Sequence, residues 1–372
     1  MTNSECPFGF EIDFLPVGES SKSGDAICMR WGHLHDPSRQ NVMVVDGGFS
    51  ENADDIIEHI IKYYHTTYID YVLVTHPHAD HIGGIKEMLE YAKNDKRITI
   101  GSLWMHNPYN HIDLGKFESE NLKTGVVRKS LDENLAAVSE MLRIAQDNRI
   151  AIFEPFASLD GIDLGYGVEG YVLGPNKTYY ESMLASFNAT PSIGTRDEQA
   201  RIRYTGGVVD ANKKALTSEG STSAENESSV ILCLKLPAGE IVLLTGDAGM
   251  NAMSRALRMS KYHQLNIPAN IRVFKIPHHG SIQNLSADIL DEILGSSYDS
   301  KNRKEAFAFI LVSKHPEKGH PDKVVTNNIW RRNCKPYKTG GTKLFYGIGD
   351  YENRGWRSAT PIEKYDKVDN FK

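Results

Sequence analysis

Read for the spacing of its apolar residues, the chain opens in β structure. Phe10 to Val17 and Ala26 to Trp31 are two short strand candidates, and Val42-Met43-Val44-Val45 is a continuous apolar run that closes on Asp46-Gly47-Gly48. A buried strand ending in a tight turn is the simplest account of that run. Asn52 or Asp54 can then cap a helix with Ile56, Ile57, Ile60 and Ile61 on one face. Tyr71 to Thr75 reads as the next buried strand, and a helix from about Ile82 to Ala92 follows, with Ile85, Met88 and Leu89 inward. Between the two lies a polar run, His76-Pro77-His78-Ala79-Asp80-His81. Loops at the C-terminal ends of strands are where layered α/β folds place ligand sites.

The middle of the chain is less regular. Ile98 to Met105 reads as a strand, and Leu131, Leu135, Val138, Leu142 and Ala145 mark an amphipathic helix. From about Asn176 to Glu227 the chain turns polar, too long for an ordinary connection, and reads as an insertion, a lid or a partly disordered loop. Regular signals then return. Val230 to Leu236 and Ile241 to Leu244 flank Pro237-Ala238-Gly239-Glu240, a hairpin pattern. Ala248 to Met259 is helix-like, Arg272 to Ile276 is a strand, Ser286 to Leu294 is a capped helix and Phe307 to Ser313 an apolar strand. After Asp350 the residues are polar, and 351–372 reads as a surface tail. Strands and helices thus recur in two halves, which predicts an α/β architecture with sheets inside and helices outside. One domain over residues 1–350 accommodates both halves.

Composition changes this picture little. Hydrophobic residues are 40% of the 372 and charged residues 24%, ordinary globular values. No run of 18 apolar residues exists, so no transmembrane helix and no membrane partner are expected. Met1 to Glu11 lacks the basic start and apolar stretch of a secretory signal, which makes a cytoplasmic location the expectation. The net charge of −6 argues against broad, charge-driven nucleic-acid binding. A nuclease stays open, because bound divalent ions supply positive charge at the reacting phosphate. Cys6, Cys28, Cys233 and Cys334 form no C-x-x-C pair, and Cys28 and Cys233 lie in apolar runs as core thiols.

The chemistry concentrates in the polar run. His76, His78, Asp80 and His81 put three imidazoles and a carboxylate within six residues. Imidazole and carboxylate suit Zn²⁺, Mn²⁺ or Fe²⁺. In an extended loop alternate residues project to opposite sides, so His76 and His78 can reach one metal while Asp80 and His81 reach a second. Gly83 and Gly84 give the loop room to turn into its helix. Asp46 reads either as a turn residue or as a support that orients a ligand histidine.

Residues His76 to Gly84 resemble the signature H-x-H-x-D-H-x-G-G of the metallo-β-lactamase superfamily. Leu244-Thr245-Gly246-Asp247 resembles its "LTGD" segment, which implies that Asp247 supplies a bridging carboxylate; without the resemblance Asp247 reads as a helix cap. Pro277-His278-His279-Gly280-Ser281 and Gly319-His320-Pro321 resemble "PHHGS" and "GHP" of the nuclease-like domain of ComEC-type competence proteins, and Asn226-Glu227-Ser228-Ser229-Val230 is similar to a strand start of that group. The "DVGQGDA" opening of that group is replaced by Leu15-Pro16-Val17-Gly18-Glu19, with Gly24-Asp25-Ala26 further on. The membrane channel of competence proteins has no counterpart in these residues, so DNA uptake is not implied. The superfamily's "GHT" histidine is also missing; Asn226 lies near its place, and His106 and His111 are the weaker substitutes.

The resemblance implies a four-layer αββα sandwich with a mid-chain insertion, binding two divalent ions, Zn²⁺ or Mn²⁺. The implied ligands are His76, His78, Asp80, His81, Asp247 and one of His278 and His279, with His279 taken as the ligand. Asp80, His278 and His320 are the implied catalytic residues, and Asn226 the substrate or third-ligand position. The activity implied is hydrolysis of a phosphate-containing substrate, a nucleic acid or nucleotide. Hydrolysis of a thioester, lactone or lactam and a silent metal–nucleotide sensor are the alternatives. Protein partners in a bacterial assembly fit a stand-alone member of such a branch. Two basic clusters, Lys301, Arg303 and Lys304, and Arg331, Arg332, Lys335 and Lys338, suit a phosphate-rich substrate.

Overall fold

Alternation builds the first strand. In β1 (Gly9–Phe14) the residues Phe10, Ile12 and Phe14 enter a core between two sheets, which sends Glu11 and Asp13 to the opposite face. The computed structural model describes residues 7–111, 135–184, 186–187, 204–210, 216, 218, 220–296, 305–316 and 319–371. One sheet runs β15 (Leu344–Gly349), β1, β2 (Ala26–Gly32), β3 (Gln40–Gly47), β4 (Tyr68–Leu73), β5 (Thr99–Trp104) and β6 (Ala151–Phe153). The other runs β14 (Cys334–Lys338), β13 (Ala306–Ile310), β12 (Ile271–Lys275), β11 (Ile241–Leu244), β10 (Ile231–Lys235), β8 (Glu169–Gly174) and β7 (Ile162–Asp163). β9 (Tyr204–Asp210) and β16 (Lys367–Phe371) pair as a separate ribbon. In both sheets antiparallel pairs give way to parallel ones, from β3 to β6 and from β11 to β14.

Three apolar cores account for four layers. The central one, with Trp31, Met43, Leu232 and Val273, lies between the sheets. A second packs the outer face of the first sheet under α1 (Asn52–His59), α2 (Ala79–Asn94) and α3 (Ala136–Asp147), with Tyr180 and Leu184 of α4 (Lys177–Leu184) joining it. The third packs the other sheet under α5 (Met250–Tyr262), α6 (Ala287–Leu294) and α7 (Lys323–Arg331). This is the αββα sandwich expected from the sequence. No helix of the described residues is long and apolar enough to cross a membrane.

Several details differ from the sequence reading. After His59 the helix widens into a π-helical turn, Ile60–Tyr64, and Ile61 is 44% exposed while Ile60 is buried. The strands β6, β7, β8, β14 and β15 and the helix α7 were not foreseen; β6 and β7 are only three and two residues long and carry little periodicity. Of the expected helix from Leu131, residues 131–134 lie outside the described residues, as do 188–203 and 211–215 of the 176–227 stretch. Lys301, Arg303 and Lys304 lie outside them too. The other basic cluster is partly consumed by ion pairs: Arg332 meets Asp291 at 2.8 Å and Lys335 meets Glu305 at 2.5 Å. Cys28, Cys233 and Cys334 are buried free thiols.

The stretch after Asp350 is polar but not wholly superficial. Arg354 reaches the outward face of β1, where it meets Asp13 and Glu11 at 2.6 Å each. Its guanidinium stacks over Phe345 at 4.3 Å and Tyr63 at 4.8 Å. Arg30 binds Glu11 at 2.5 Å, Tyr64 donates to Asp13, and His59 lies 3.2 Å from the same carboxylate. Burial alone would raise the Asp13 carboxyl, but His59 and Arg354 outweigh it and hold the group below its usual value. Removing one partner of a buried pair costs about 3–5 kcal/mol, because the other charge is left uncompensated. Arg354→Met should therefore lower the urea unfolding free energy by about that much. Arg143→Ala, which breaks an exposed pair with Asp147, should change it by under about 0.5 kcal/mol. Equal effects of the two substitutions would contradict this account of Arg354.

Candidate metal centre

The site forms where loops leave the C-terminal ends of β3 and β4 in one sheet and of β11 and β12 in the other. Asp46, in β3, adopts a left-handed φ of 55°. Its carboxylate accepts from the Thr75 amide at 2.8 Å and the Thr75 hydroxyl at 2.7 Å, and takes His81 Nδ1 at 2.8 Å. Asp46 thus supports a ligand histidine, one of its two sequence readings. Helix α2 begins at Ala79, earlier than expected, so Gly83 and Gly84 lie inside it. Their function is close packing. A Cβ on Gly84 would sit 2.1 Å from the Gly47 carbonyl oxygen, and one on Gly83 2.7 Å from the Ser50 nitrogen. The helix can therefore lie directly on the Asp46 turn.

From the other sheet, Asp247 follows β11. Helix α5 begins only at Met250, capped by Gly249, so Asp247 is not its cap. The Asp247 amide donates to Ser229 Oγ at 3.0 Å and its carbonyl accepts from Asn284 at 3.0 Å. Its Oδ2 lies 3.4 Å from His81 Nε2 and 3.2 Å from His278 Nδ1. His278 and His279 follow β12 with φ of 45° and 53°, a left-handed pair that turns both rings into the site. His279 Nδ1 donates to the Leu311 carbonyl at 2.7 Å, and its Nε2 lies 3.8 Å from Asp80 Oδ2.

Among the described residues three donor groups result, each with its atoms within 4.8 Å of one another: His76, His81 and Asp247; Asp80, His81 and His279; and Asp25, Asp46 and His81. The first two share His81, which the alternation argument had assigned to one metal only. His78 joins at the edge, with Nδ1 3.1 Å from His76 Nε2. The donors fit a divalent ion. His81 Nε2 is buried with no hydrogen-bond partner among the described residues, and it faces the carboxylates of Asp247 and Asp80. Burial, reinforced by His81 and His78, holds His76 well below the usual histidine range, and burial lowers His78 as well. Both rings are then in the neutral form that ligates. Burial would raise Asp80, but the His279 hydrogen bond and nearby imidazoles hold it at about 2. His81 is raised well above its usual value: burial opposes its charge, and Asp247 and Asp46 outweigh burial.

The remaining predicted residues sit around this core. Asn226 Nδ2 lies 2.7 Å from His278 Nδ1 and donates to Thr222 at 2.8 Å, so Asn226 holds an imidazole. The His320 ring is 6.5 Å from that of His278, on the same rim. His106 and His111 are not brought into the donor groups. His106 stacks on Phe156 at 4.3 Å, and His111 bridges Glu154 and Glu181. Sequence reasoning did not assign roles to Asp25 and Lys275, which form an ion pair beside Asp247. A lysine inside the apolar run Ile271–Ile276 was the available signal.

Residues 38–116 match the family model of the Metallo-beta-lactamase superfamily, a stretch that includes Asp46 and the whole His76–His81 motif. That stretch is similar to the metallo-β-lactamase superfamily. Solved structures with this likeness include the metallo-beta-lactamase fold protein YhfI from Bacillus subtilis, at 10% identity and a TM-score of 0.42, with 91% of this chain and 100% of that one covered. Unliganded yeast PDE1 is 10% identical with a TM-score of 0.45, over 91% of this chain and 99% of that one. A diphosphatase from the PhnP family is 9% identical with a TM-score of 0.41, over 93% and 100%. No curated protein matches the chain. Likenesses at such identities say nothing of substrate.

Two expectations follow from the geometry. Asp46→Asn keeps the shape of the turn and removes the charge that fixes His81. It should weaken Mn²⁺ binding roughly 10- to 100-fold by calorimetric titration, and unchanged affinity would refute the orienting role. His106 gives a pH effect. Burial pushes it down to about 3, so between its unfolded value near 6.5 and about 3 the unfolded chain binds a proton that the folded chain refuses. Stability from this group is thus present above pH 6.5 and lost as pH falls. Between pH 6 and pH 4 the wild type should lose roughly 1.4 kcal/mol per unit more than His106→Gln, by urea unfolding.

Proposed function

We propose that the protein is a metal-dependent phosphodiester hydrolase of the ComEC-like branch, acting on a nucleic acid or nucleotide. The observation that carries the reading is the convergence on Asp247. Its Oδ2 lies 3.4 Å from His81 and 3.2 Å from His278, while Asp80 and His279 form a second donor group with the same His81. A phosphodiester is an anion with a poor leaving group. It calls for cations at its non-bridging oxygens and for a proton at the departing oxygen. The donor groups answer the first need, and the imidazoles of His278 and His320 on the rim answer the second.

Divalent ions, Zn²⁺ or Mn²⁺, bound by these donors would supply Lewis acidity toward the phosphate and the nucleophile. His76, His78 and Asp247 would hold one side of the centre and Asp80 and His279 the other, with His81 shared between them. Asp46 fixes the His81 tautomer through Nδ1, which leaves Nε2 for the centre. Asp80, kept ionised, would accept a hydrogen bond from the attacking water and orient it. His278, whose side chain is 14% exposed, is held by Asn226 where it can give a proton to the departing oxygen. His320 assists from the same rim.

The test is hydrolysis of bis(p-nitrophenyl) phosphate with added Mn²⁺ or Zn²⁺. Wild type should turn over only with metal, and the double variant His76→Ala, Asp80→Ala should lose that turnover. His278→Ala should keep its metal while kcat falls roughly 100-fold or more. A metal-loaded wild type that leaves phosphodiesters intact but opens a thioester or lactone would replace this reading with acyl hydrolysis.

A further inference from the structure

Lys275 is the last residue of β12, and its side chain is 1% exposed. Its ammonium pairs with the carboxylate of Asp25, donates to the Gly246 carbonyl at 2.7 Å and lies 3.5 Å from Asp247 Oδ1. Burying an ammonium costs several kcal/mol unless it is well paired, and an apolar residue in a core strand would avoid that cost. The position of its partners explains the charge. Asp247 turns Oδ1 toward Lys275 and Oδ2 toward His81 and His278. Asp25 belongs to the other half of the site: its amide donates to the Asp80 carbonyl at 3.2 Å, and its carbonyl accepts from Gly48 at 2.7 Å. The same Asp25 is a member of the third donor group, with Asp46 and His81.

We propose that Lys275 is a positioning residue of the metal centre, which ties the two halves of the site together, turns one oxygen of Asp247 toward the ions and keeps Asp25 from acting as a ligand. This inference rests on the metal-centre reading above and not on the substrate. Without the ammonium, Asp247 is free to rotate and Asp25 is free to compete for the ion near His81. The choice between donor groups then loosens.

The experiment uses the full chain and Mn²⁺ alone, read by calorimetric titration and by the electron paramagnetic resonance spectrum of the bound ion. The double variant Asp25→Asn, Lys275→Met leaves no unpaired buried charge at this pair. Its Mn²⁺ affinity should fall roughly 10- to 100-fold, with an altered spectrum. Should that variant fail to fold, Asp25→Asn alone serves. It keeps the ammonium but leaves Asp247 as its sole carboxylate partner at this pair, which draws Lys275 onto Asp247 and should weaken Mn²⁺ roughly tenfold. Wild-type affinity and spectrum in either folded variant overturn the proposal and leave the proposed activity untouched. A wild type that binds no divalent ion overturns both. Phosphodiester turnover is measured separately and bears on the activity alone.

Discussion

Asp25, Asp46 and Asp247 are each no more than 2% exposed and lie within one small region between the sheets. An ionised carboxylate withdrawn from water costs several kcal/mol unless a cation answers it, and here the answers differ by residue. Asp25 is matched by Lys275, and Asp46 by His81 and the hydrogen-bond donors of Thr75. Asp247 faces His81 and His278 on one oxygen and Lys275 on the other. The two-sheet architecture is what permits this concentration of charge, because each sheet delivers its share from the ends of adjacent parallel strands. Two of the donor groups need both halves, with His76, Asp80 and His81 from the first and Asp247 and His279 from the second, whereas Asp25, Asp46 and His81 all come from the first.

Much of this was legible in the sequence, for a physical reason. His76 to His81 is dense enough that the ligands are local neighbours, and local density survives any uncertainty in tertiary structure. The parallel strands β3 to β5 and β11 to β13 announce themselves because buried parallel strands are nearly continuous apolar runs, and the antiparallel β1, β2 and β10 are apolar enough to be read with them. Asp247, His278 and His279 were reached by resemblance, since nothing in their local pattern says that they face a motif some 170 to 200 residues earlier. Asn226 was placed near the site, but its contact with His278 needed coordinates.

What sequence reading missed shares a cause. Lys275 and Arg354 look like surface charges by type, and their burial depends on partners far along the chain, Asp25 for one and Glu11 and Asp13 for the other. Periodicity reports which face of an element is covered and carries no sign of what charge waits there. Asp247 shows the converse. Its local context suits a cap, and only the start of α5 at Met250 removes that reading.

The pairing of β1 with β15 joins Gly9 to Gly349. During synthesis β1 emerges first, and the strand that covers its outer edge emerges after some 330 intervening residues. At typical translation rates that interval is roughly 20–70 s. Contacts so distant also make for slow closure of the sheet. Throughout that interval β1 offers open backbone donors and acceptors to any other strand. Glu11 and Asp13, charged residues pointing off that strand, discourage such pairing until β15 and then Arg354 arrive. The same carboxylates that anchor the finished C-terminal segment thus guard the nascent chain against aggregation.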